Sequence, residues 1–169
     1  RRFFADHLER AMAGGQLIGI CITPGGGAAM QPLDQVEAIV GKGLSGDRYA
    51  SCNGSFQTGD VVAPQEELTL IEEEAIQGAS AEYDLQIVHA DTRRNLLTRG
   101  VALNHLVGSE FRVGEVLLEG LELCEPCSHL EKLTCEGIRQ SLVHRGGLRA
   151  RILEGGTLSL NDPVTLSSG

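Results

Sequence analysis

The segment from Leu123 to Cys135, LCEPCSHLEKLTC, contains three of the chain's five cysteines and one of its five histidines. Closely spaced Cys and His side chains can bind zinc, exchange disulfides or present a single activated thiolate. Each of these chemistries requires a different arrangement of the chain. The residues on either side of Cys124 and Cys127 therefore decide which chemistry is favoured.

A zinc site is the first alternative. Structural zinc takes four Cys or His ligands, commonly supplied as two short-spaced pairs. Cys124 and Cys127 form one such pair, and the sequence has no second pair with that spacing. His129 and Cys135 could complete the set only if the segment folded back on itself.

A helix is instead predicted directly after the cysteine pair. Ser128 followed by Glu131 has the pattern of a capping box, and Leu130, Leu133 and Ile138 follow at helical spacing. A helix from Ser128 through Ile138 would prevent the fold-back. Zinc is therefore the less favoured alternative.

A redox dithiol is the second alternative, and the two cysteines differ in their surroundings. Cys124 closes an alternating run in which it would lie on the face opposite Leu121 and Leu123. Cys127 precedes the predicted helix, where the positive end of the helix dipole favours a thiolate. The sequence predicts that Cys127 is the functional thiol and that Cys124 is at most a resolving thiol.

The other cysteines do not extend this site. An odd, uneven set of five does not indicate the disulfide framework of a small secreted domain, so free thiols in a reducing cytoplasm are expected. Cys21 and Cys135 are predicted to be buried and inert. Cys52 is left unassigned.

Two distant segments are candidates for anion binding. The first is DTRRN, residues 91–95, whose two guanidinium groups match phosphate oxygens. The second is GLSGDRY, residues 43–49, in which two glycines permit a tight turn with exposed N–H groups. The alternative for the first segment is two surface arginines paired with Asp91 or a nearby glutamate.

The composition restricts the class of partner. The 169 residues are 41% hydrophobic and 22% charged, which is ordinary for a globular protein. A net charge of −9 and a pI near 5.0 argue against nucleic acid and anionic lipid as partners. No apolar run approaches the ~20 residues of a membrane span, and no basic-then-apolar signal opens the chain. The expected location is the cytoplasm.

The surrounding pattern is rich in strands. Residues 3–13 predict a short amphipathic helix, with Phe4, Leu8 and Met12 on one face. Weaker helix signals follow at residues 72–77, at 103–107 and from 128 onward. Predicted strands are the short apolar runs QLIGICI, QVEAIV, LTLI, LQIV, FRVGEVLL, LELC, LRARIL and TLSL.

These elements predict one domain over residues 1–169, with an N-terminal helix in 1–14 and a β-rich core in 17–166. The expected fold class is mostly β within a mixed α+β protein. It would be a barrel-like, strongly curled sheet with a few short peripheral helices. The turn at residues 154–157 is predicted to join two paired strands as a hairpin.

Five blocks of the sequence together resemble the MOSC domain, the module named for the C-terminal part of molybdenum cofactor sulfurase. They occur in the family's order within residues 17–166. The resemblance implies a barrel like that of the pyruvate-kinase β-barrel-domain-like fold. It also implies binding of the molybdenum cofactor, a molybdenum held by the dithiolene of the phosphorylated pterin molybdopterin. The blocks are GKGLSGDRYA, LTLIEEEAI, TRRNLLTRGVALNHLVGSEFRVGEVLLEG, LCEPCSHLE and GGLRARILEGGTLSLNDPV.

The resemblance also implies individual site residues. The family's essential cysteine falls on Cys127, as the catalytic residue and molybdenum ligand. Its Asp-Arg element falls on Asp47 and Arg48, and its Arg-x-Asn element falls on Arg93 and Asn95, as cofactor-binding residues. Thiolate is a soft ligand suited to molybdenum, and guanidinium suits the phosphate.

Two activities are implied by relatives. One is an oxidoreductase that reduces small N-hydroxylated compounds at a Cys127-ligated molybdenum, with electrons from a separate reductase. The other is a sulfur carrier that holds persulfide sulfur on Cys127, supplied by a separate cysteine desulfurase. No pyridoxal phosphate site is expected in this chain. One departure from the family is that residues 161–164 read Asn-Asp-Pro-Val where relatives often have Gly-Asp-x-Val.

Overall fold

The computed structural model describes residues 2–57 and 59–167 of the chain. Its α-helices are short: α1 Arg2–Ala11, α2 Glu73–Tyr83, α3 His89–Thr92, α4 Ser128–Leu133 and α5 Ile138–Ser141, with 3-10 helices at Pro64–Glu66 and Leu103–Leu106. The strands are β1 Gln16–Ile22, β2 Gln31–Leu33, β3 Gln35–Ile39, β4 Gly43–Leu44, β5 Leu68–Glu72, β6 Leu96–Arg99, β7 Glu110–Val113, β8 Val116–Leu123, β9 Leu148–Glu154, β10 Gly156–Ser159 and β11 Val164–Leu166. The prediction of a mostly β, mixed α+β protein is therefore confirmed.

The strands form two sheets. The larger has eight strands in the order β11-β7-β8-β9-β5-β6-β1-β2, and the smaller has three in the order β10-β3-β4. All pairs are antiparallel except β5 with β6. Among the described residues, β11 and β2 are the edges of the larger sheet and do not pair with each other. The predicted barrel is therefore not supported, because neither sheet closes.

The predicted hairpin at residues 154–157 is also wrong. Strand β9 belongs to the larger sheet, whereas β10 pairs with β3 in the smaller one, with Leu158 opposite Val36. The turn thus carries the chain from one sheet to the other. A turn pattern is local and does not specify which strand the next segment will pair with.

Two further predictions of elements differ from the structure. The run LQIV, residues 85–88, forms no strand, because Leu85 and Ile87 pack into a cluster with the helices instead. The helix predicted from Ser128 through Ile138 is broken, since α4 ends at Leu133 and α5 begins at Ile138.

The N-terminal helix is observed, as α1, although residue 1 lies outside the described residues. Leu8 and Met12 are buried, whereas Phe4, assigned to the same face, is 56% exposed. No helix within the described ranges is long and apolar enough to cross a membrane, the longest having 11 residues.

The core has two parts, one on each face of the central strands. The larger cluster lies between the two sheets and includes Leu70 and Leu96. The next residues along the same strands, Ile71 and Leu97, point the other way, toward α2, α4 and α5. This alternation places helix α4 against the sheet face opposite the main core.

The strand registers bring several chain ends to one end of the larger sheet. Leu96, at the start of β6, pairs with Ile20 near the end of β1. Leu148, at the start of β9, pairs with Leu123 at the end of β8. The segments that precede β6 and β9 therefore meet the segments that follow β1 and β8.

Candidate functional site

A cavity of about 290 Å³ lies at this end of the sheet. Its wall combines residues from segments that are far apart in sequence. They include four arginines, a thiol and an aromatic side chain at the mouth. The lining residues are Gly26, Arg48, Tyr49, Ser55, Phe56, Gln57, Gln65, Glu66, Arg93, Arg94, Glu122, Glu125, Cys127, His129, Leu130, Leu133 and Arg149.

Arg48 and Arg93 form one side of the wall. Arg48 is 5% exposed, and its Nη2 donates a hydrogen bond to the backbone carbonyl of Arg93 at 3.0 Å. The Arg48 guanidinium also stacks on the Tyr49 ring, 4.5 Å from its centroid. Arg93 donates to the carbonyls of Ala28 and Gly26, both at 2.9 Å. Both guanidinium groups are thereby held by the protein in the cavity wall.

The electrostatics of Arg93 favour an anion. Burial, and then the positive charge of Arg48, lower the pKa of the Arg93 guanidinium. Within the described residues, no carboxylate lies within salt-bridge distance of Arg93 or Arg94. Arg93 also has a left-handed backbone, φ 57°, at the end of α3. A bound anion would relieve the repulsion between the arginines.

Sequence reasoning missed Arg149 of the wall, and it included Arg94 only as part of the 91–95 segment. Arg94 is buried, and its donors reach the carbonyls of Gly146 and Cys124. Arg149 lies on β9 and donates to the carbonyl of Gln65 at 3.1 Å. Alternation in LRARIL places Arg149 on one face of its strand, but which structure covers that face cannot be read from the pattern.

The charge of Arg149 is reinforced by its neighbours. Burial acts to lower the pKa of its guanidinium, but Cys124, Tyr49 and Glu122 together raise it. Its Nε lies 3.7 Å from a carboxylate oxygen of Glu122. Arg149 therefore adds a fixed positive charge to the wall near Cys124.

Cys127 reaches the cavity through the turn that follows β8. Cys127 is exposed, lines the cavity and occupies the N-cap position of α4. The predicted capping box is absent, because Ser128 is the first helical residue and no side chain caps the helix. Glu131 instead accepts hydrogen bonds from the N–H groups of Gly137 and Arg139, at 3.0 and 3.3 Å.

Among the described residues, Cys127 is the only one of the five cysteines that lines the cavity, and all five are free thiols. Cys124 is buried, and burial raises the pKa of the buried Cys21 thiol. Cys135 was predicted to be buried but is exposed. The prediction used the general tendency of free cysteines to be buried, whereas Cys135 lies in the break between α4 and α5. Cys52 is partly buried and has a left-handed backbone, φ 57°.

Asp47 and Asn95, two of the predicted cofactor-binding residues, lie behind the wall. Asp47 is fully buried and accepts hydrogen bonds from the N–H groups of Thr23 and Tyr49. Asn95 is also fully buried; its amide oxygen accepts from the backbone and hydroxyl of Thr69, and its nitrogen donates to the carbonyl of Cys21. Both side chains fix the segments that present Arg48 and Arg93.

A short strap, residues 53–57, crosses the mouth of the cavity. Its Ser55 hydroxyl is 3.0 Å from Nε2 of His129, on α4. The ring of Phe56 stands edge-on to the same imidazole, with centroids 5.3 Å apart. Gly26 donates its N–H to the carbonyl of Asn53 at 3.0 Å. The strap therefore bridges the loop that carries Gly26 and the helix that follows Cys127.

The cysteine-rich segment does not assemble a zinc site. Among the described residues, no three His, Cys, Asp or Glu side chains come together in a metal-binding group. The zinc alternative therefore lacks its ligand set. A single thiol beside an arginine wall is the donor set that the cavity offers.

The comparison with family models identifies the protein family of this chain. The MOSC domain model matches residues 57–165, well over half of the chain. The chain belongs to the MOSC domain family. This family is associated with binding of the molybdenum cofactor. No curated protein sequence matches the chain.

Solved structures share the fold of this MOSC domain. The YUAD protein from Bacillus subtilis has a TM-score of 0.71 at 14% identity, over 89% of this chain and 93% of that one. YiiM from Geobacillus stearothermophilus has a TM-score of 0.68 at 14% identity, over 91% and 75% of the two chains. YiiM from Escherichia coli has a TM-score of 0.63 at 20% identity, over 92% and 69%.

Proposed function

We propose that this MOSC domain binds the molybdenum cofactor in the arginine-walled cavity and reduces small N-hydroxylated compounds there. The observation that carries this proposal is the convergence of Cys127 with four arginines on one cavity in a chain of net charge −9. Arg48 and Arg149 lie 3.8 and 3.7 Å from the carboxylates of Asp47 and Glu122, whereas Arg93 and Arg94 have no carboxylate within salt-bridge distance among the described residues. An anion would complement the charge of these two, and the exposed Cys127 thiol would supply a soft ligand.

Each part of the cofactor has residues suited to it. Arg48 and Arg93 would hold the phosphate, since both line the cavity and backbone carbonyls fix their positions. Arg149, on β9, would contribute positive charge to the cavity wall. Cys127 would ligate the molybdenum, which supplies two-electron redox chemistry when bound.

The overall reaction consumes two electrons and two protons: R–NHOH + 2e⁻ + 2H⁺ gives R–NH₂ and H₂O. The electrons would come from a separate electron-donor protein. The role of this chain is to orient the substrate beside Cys127 and to limit access by water, with Phe56 and the rest of the strap over the mouth. The exposed strap residues are also the natural contact for a substrate that enters.

The test is cofactor analysis of freshly purified protein from a cofactor-competent host. We expect molybdenum and pterin in the wild type and in Cys135→Ala, and little molybdenum in Cys127→Ala. Cys135 is the matched control because it is also an exposed free thiol. Equal molybdenum in Cys127→Ala would contradict the ligand assignment. A loaded protein inactive on amidoximes and N-hydroxylated bases, given a suitable reductase, would contradict the activity.

A sulfur carrier is the second candidate, favoured by the exposure of the Cys127 thiol at the cavity mouth. In this function the Cys127 thiolate would attack the terminal sulfur of a desulfurase persulfide. The desulfurase cysteine would leave as a thiolate, and Cys127 would keep the persulfide. Incubation with a desulfurase and cysteine should then add one sulfur by mass to the wild type and to Cys135→Ala. The adduct should be absent from Cys127→Ala, and full loading of that variant would rule this function out.

A further inference from the structure

Arg94 connects the cavity to the turn that carries Cys127. Its Nε donates to the carbonyl of Gly146 at 2.7 Å, and its Nη2 donates to the carbonyl of Cys124 at 3.0 Å. Gly146 lies just before β9, and Cys124 directly follows β8. One guanidinium therefore joins the start of the turn to the segment that precedes β9.

The same turn is packed tightly against the segment before β9. A Cβ placed on Gly146 would lie 2.4 Å from the carbonyl oxygen of Cys124 and 3.0 Å from Cδ of Pro126. The N–H of Cys124 also donates to the carbonyl of Gly147 at 2.7 Å. The turn consequently has no free space on this side, and its position depends on these contacts.

A buried arginine is costly unless its donors are satisfied. Arg94 is only 8% exposed and meets part of this requirement with the two backbone carbonyls. Its planar fork donates to the two acceptors from two separate nitrogens, whereas a lysine would have to bring its one ammonium nitrogen within reach of both carbonyls. The geometry is thus specific to arginine and directed at the backbone of the turn rather than at another side chain.

We propose that Arg94 is a positioning residue that holds the turn at 124–127 so that the Cys127 thiol faces the arginine wall. The effect on the turn is independent of any ligand. The effect on molybdenum content rests on the proposed function, because it requires Cys127 to be the ligand. The two effects can therefore be measured separately.

The experiment uses Arg94→Gln, Arg94→Lys and Gly146→Ala in the full chain. Gly146→Ala is the key variant, because its added methyl group should displace the turn by steric contact while none of the four arginines is replaced. Arg112→Gln is the arginine control, since Arg112 also donates to a backbone carbonyl, that of Glu115, at the far end of the sheet. Gly25→Ala is the glycine control, because a Cβ there has no neighbour within 4 Å.

The first readout is hydrogen–deuterium exchange of cofactor-free protein in the peptide covering residues 124–131. We expect exchange there to be about tenfold faster in Arg94→Gln and Gly146→Ala, corresponding to about 1.4 kcal/mol of lost local stability. Arg94→Lys should recover part of the protection. Exchange in β1 and in both control variants should match the wild type.

The second readout is molybdenum per chain from a cofactor-competent host, expected to fall several-fold in Arg94→Gln and Gly146→Ala alike. Unchanged exchange at residues 124–131 in both variants would overturn the positioning role. So would loss of molybdenum in Arg94→Gln with full retention in Gly146→Ala, which would make Arg94 a direct ligand of the anion. Faster exchange in a protein whose wild type holds no molybdenum would support the positioning role and overturn the proposed function.

Discussion

The His89 imidazole is partly buried where α3 packs on β1, and its Nε2 is enclosed by the protein. Its Nδ1 lies 3.6 Å from the sulfur of Cys21, and a Cβ on Gly19 would lie only 2.9 Å from the same nitrogen. Burial lowers the pKa of His89 to about 4, and the backbone of Arg94 offsets only part of this effect. The imidazole is therefore neutral in the folded protein at neutral pH, packed against the strand that ends at the cavity.

This burial predicts acid sensitivity. In the unfolded chain His89 binds a proton near pH 6.5, whereas the folded protein resists protonation until about pH 4. The unfolded state therefore binds more protons between these values, and the free energy of unfolding should fall as the pH drops through this window. The full effect is on the order of 3 kcal/mol. Urea unfolding at pH 7, 6, 5 and 4 measures it.

The comparison variants for this prediction are His89→Leu and His7→Gln. Carboxylates such as Glu73, whose pKa is lowered by Arg99, also lose stabilising contacts in acid, so the difference between proteins is the informative quantity. His89→Leu should have a shallower pH dependence than the wild type, whereas exposed His7→Gln should not differ from it. Parallel curves for the wild type and His89→Leu would show that His89 does not contribute.

At the scale of elements, strand β4 fixes the turn that presents Arg48. Gly43 has φ 116°, and a Cβ there would lie 2.3 Å from the carbonyl oxygen of Glu67. Glu67 is itself buried, with its carboxylate accepting the N–H of Ile152 at 2.6 Å. The close approach of these backbones joins the smaller sheet to the segment before β5.

Replacing Gly43 with Ala should therefore destabilise the protein by about 3 kcal/mol, because backbone strain and steric overlap add. Gly41→Ala separates the two causes. Gly41 also has a left-handed backbone, φ 72°, but a Cβ there meets nothing within 4 Å, so only the strain cost of about 1 kcal/mol applies. Chemical denaturation of both variants measures the difference. Equal losses of stability in the two variants would mean that the chain moves and so relieves the contact between residue 43 and Glu67.

Most strands were predictable because their alternation reflects burial on one face, as in LRARIL, where Leu148, Ala150 and Ile152 are buried. Two of the predictions that failed did so because the sequence pattern does not show what a segment packs against. The turn at 154–157 has hairpin chemistry, yet β10 pairs with β3. The run at 85–88 is apolar because helices cover it. An apolar run alone does not distinguish such a segment from a buried strand.

At the scale of the whole molecule, the site was predictable only in part. The family resemblance indicated Cys127, Arg48 and Arg93, and the structure places all three in the cavity wall. The 91–95 segment indicated Arg94 as well, but its contact with the turn after β8 could not be predicted, and Arg149 was not predicted at all, because both depend on how β6, β8 and β9 align. In an acidic chain with 14 basic residues, the grouping of four at one cavity arises only from the tertiary fold.

Because the cavity wall is made of segments that are distant in sequence, a ligand bound there should stabilise the whole fold. The wall residues come from segments as far apart as Gly26 and Arg149, so a ligand that contacts several of them binds the folded chain and not the unfolded one. Such a ligand stabilises the fold by RT ln(1 + [L]/Kd), about 2.7 kcal/mol when its concentration is a hundred times Kd. For a domain of this size each kcal/mol raises Tm by about 2–4 °C. Loaded protein should therefore melt about 5–10 °C above cofactor-free protein.

Thermal unfolding of the wild type from cofactor-competent and cofactor-deficient hosts measures this shift. The Cys127→Ala variant provides the control, since it should melt at the same temperature from either host if Cys127 anchors the molybdenum. An equal Tm for wild-type protein from both hosts, with about one molybdenum per chain in one of them, would contradict binding in the cavity. Such metal would have to lie at a site that the fold does not enclose, because only a ligand that joins distant segments must stabilise the whole molecule.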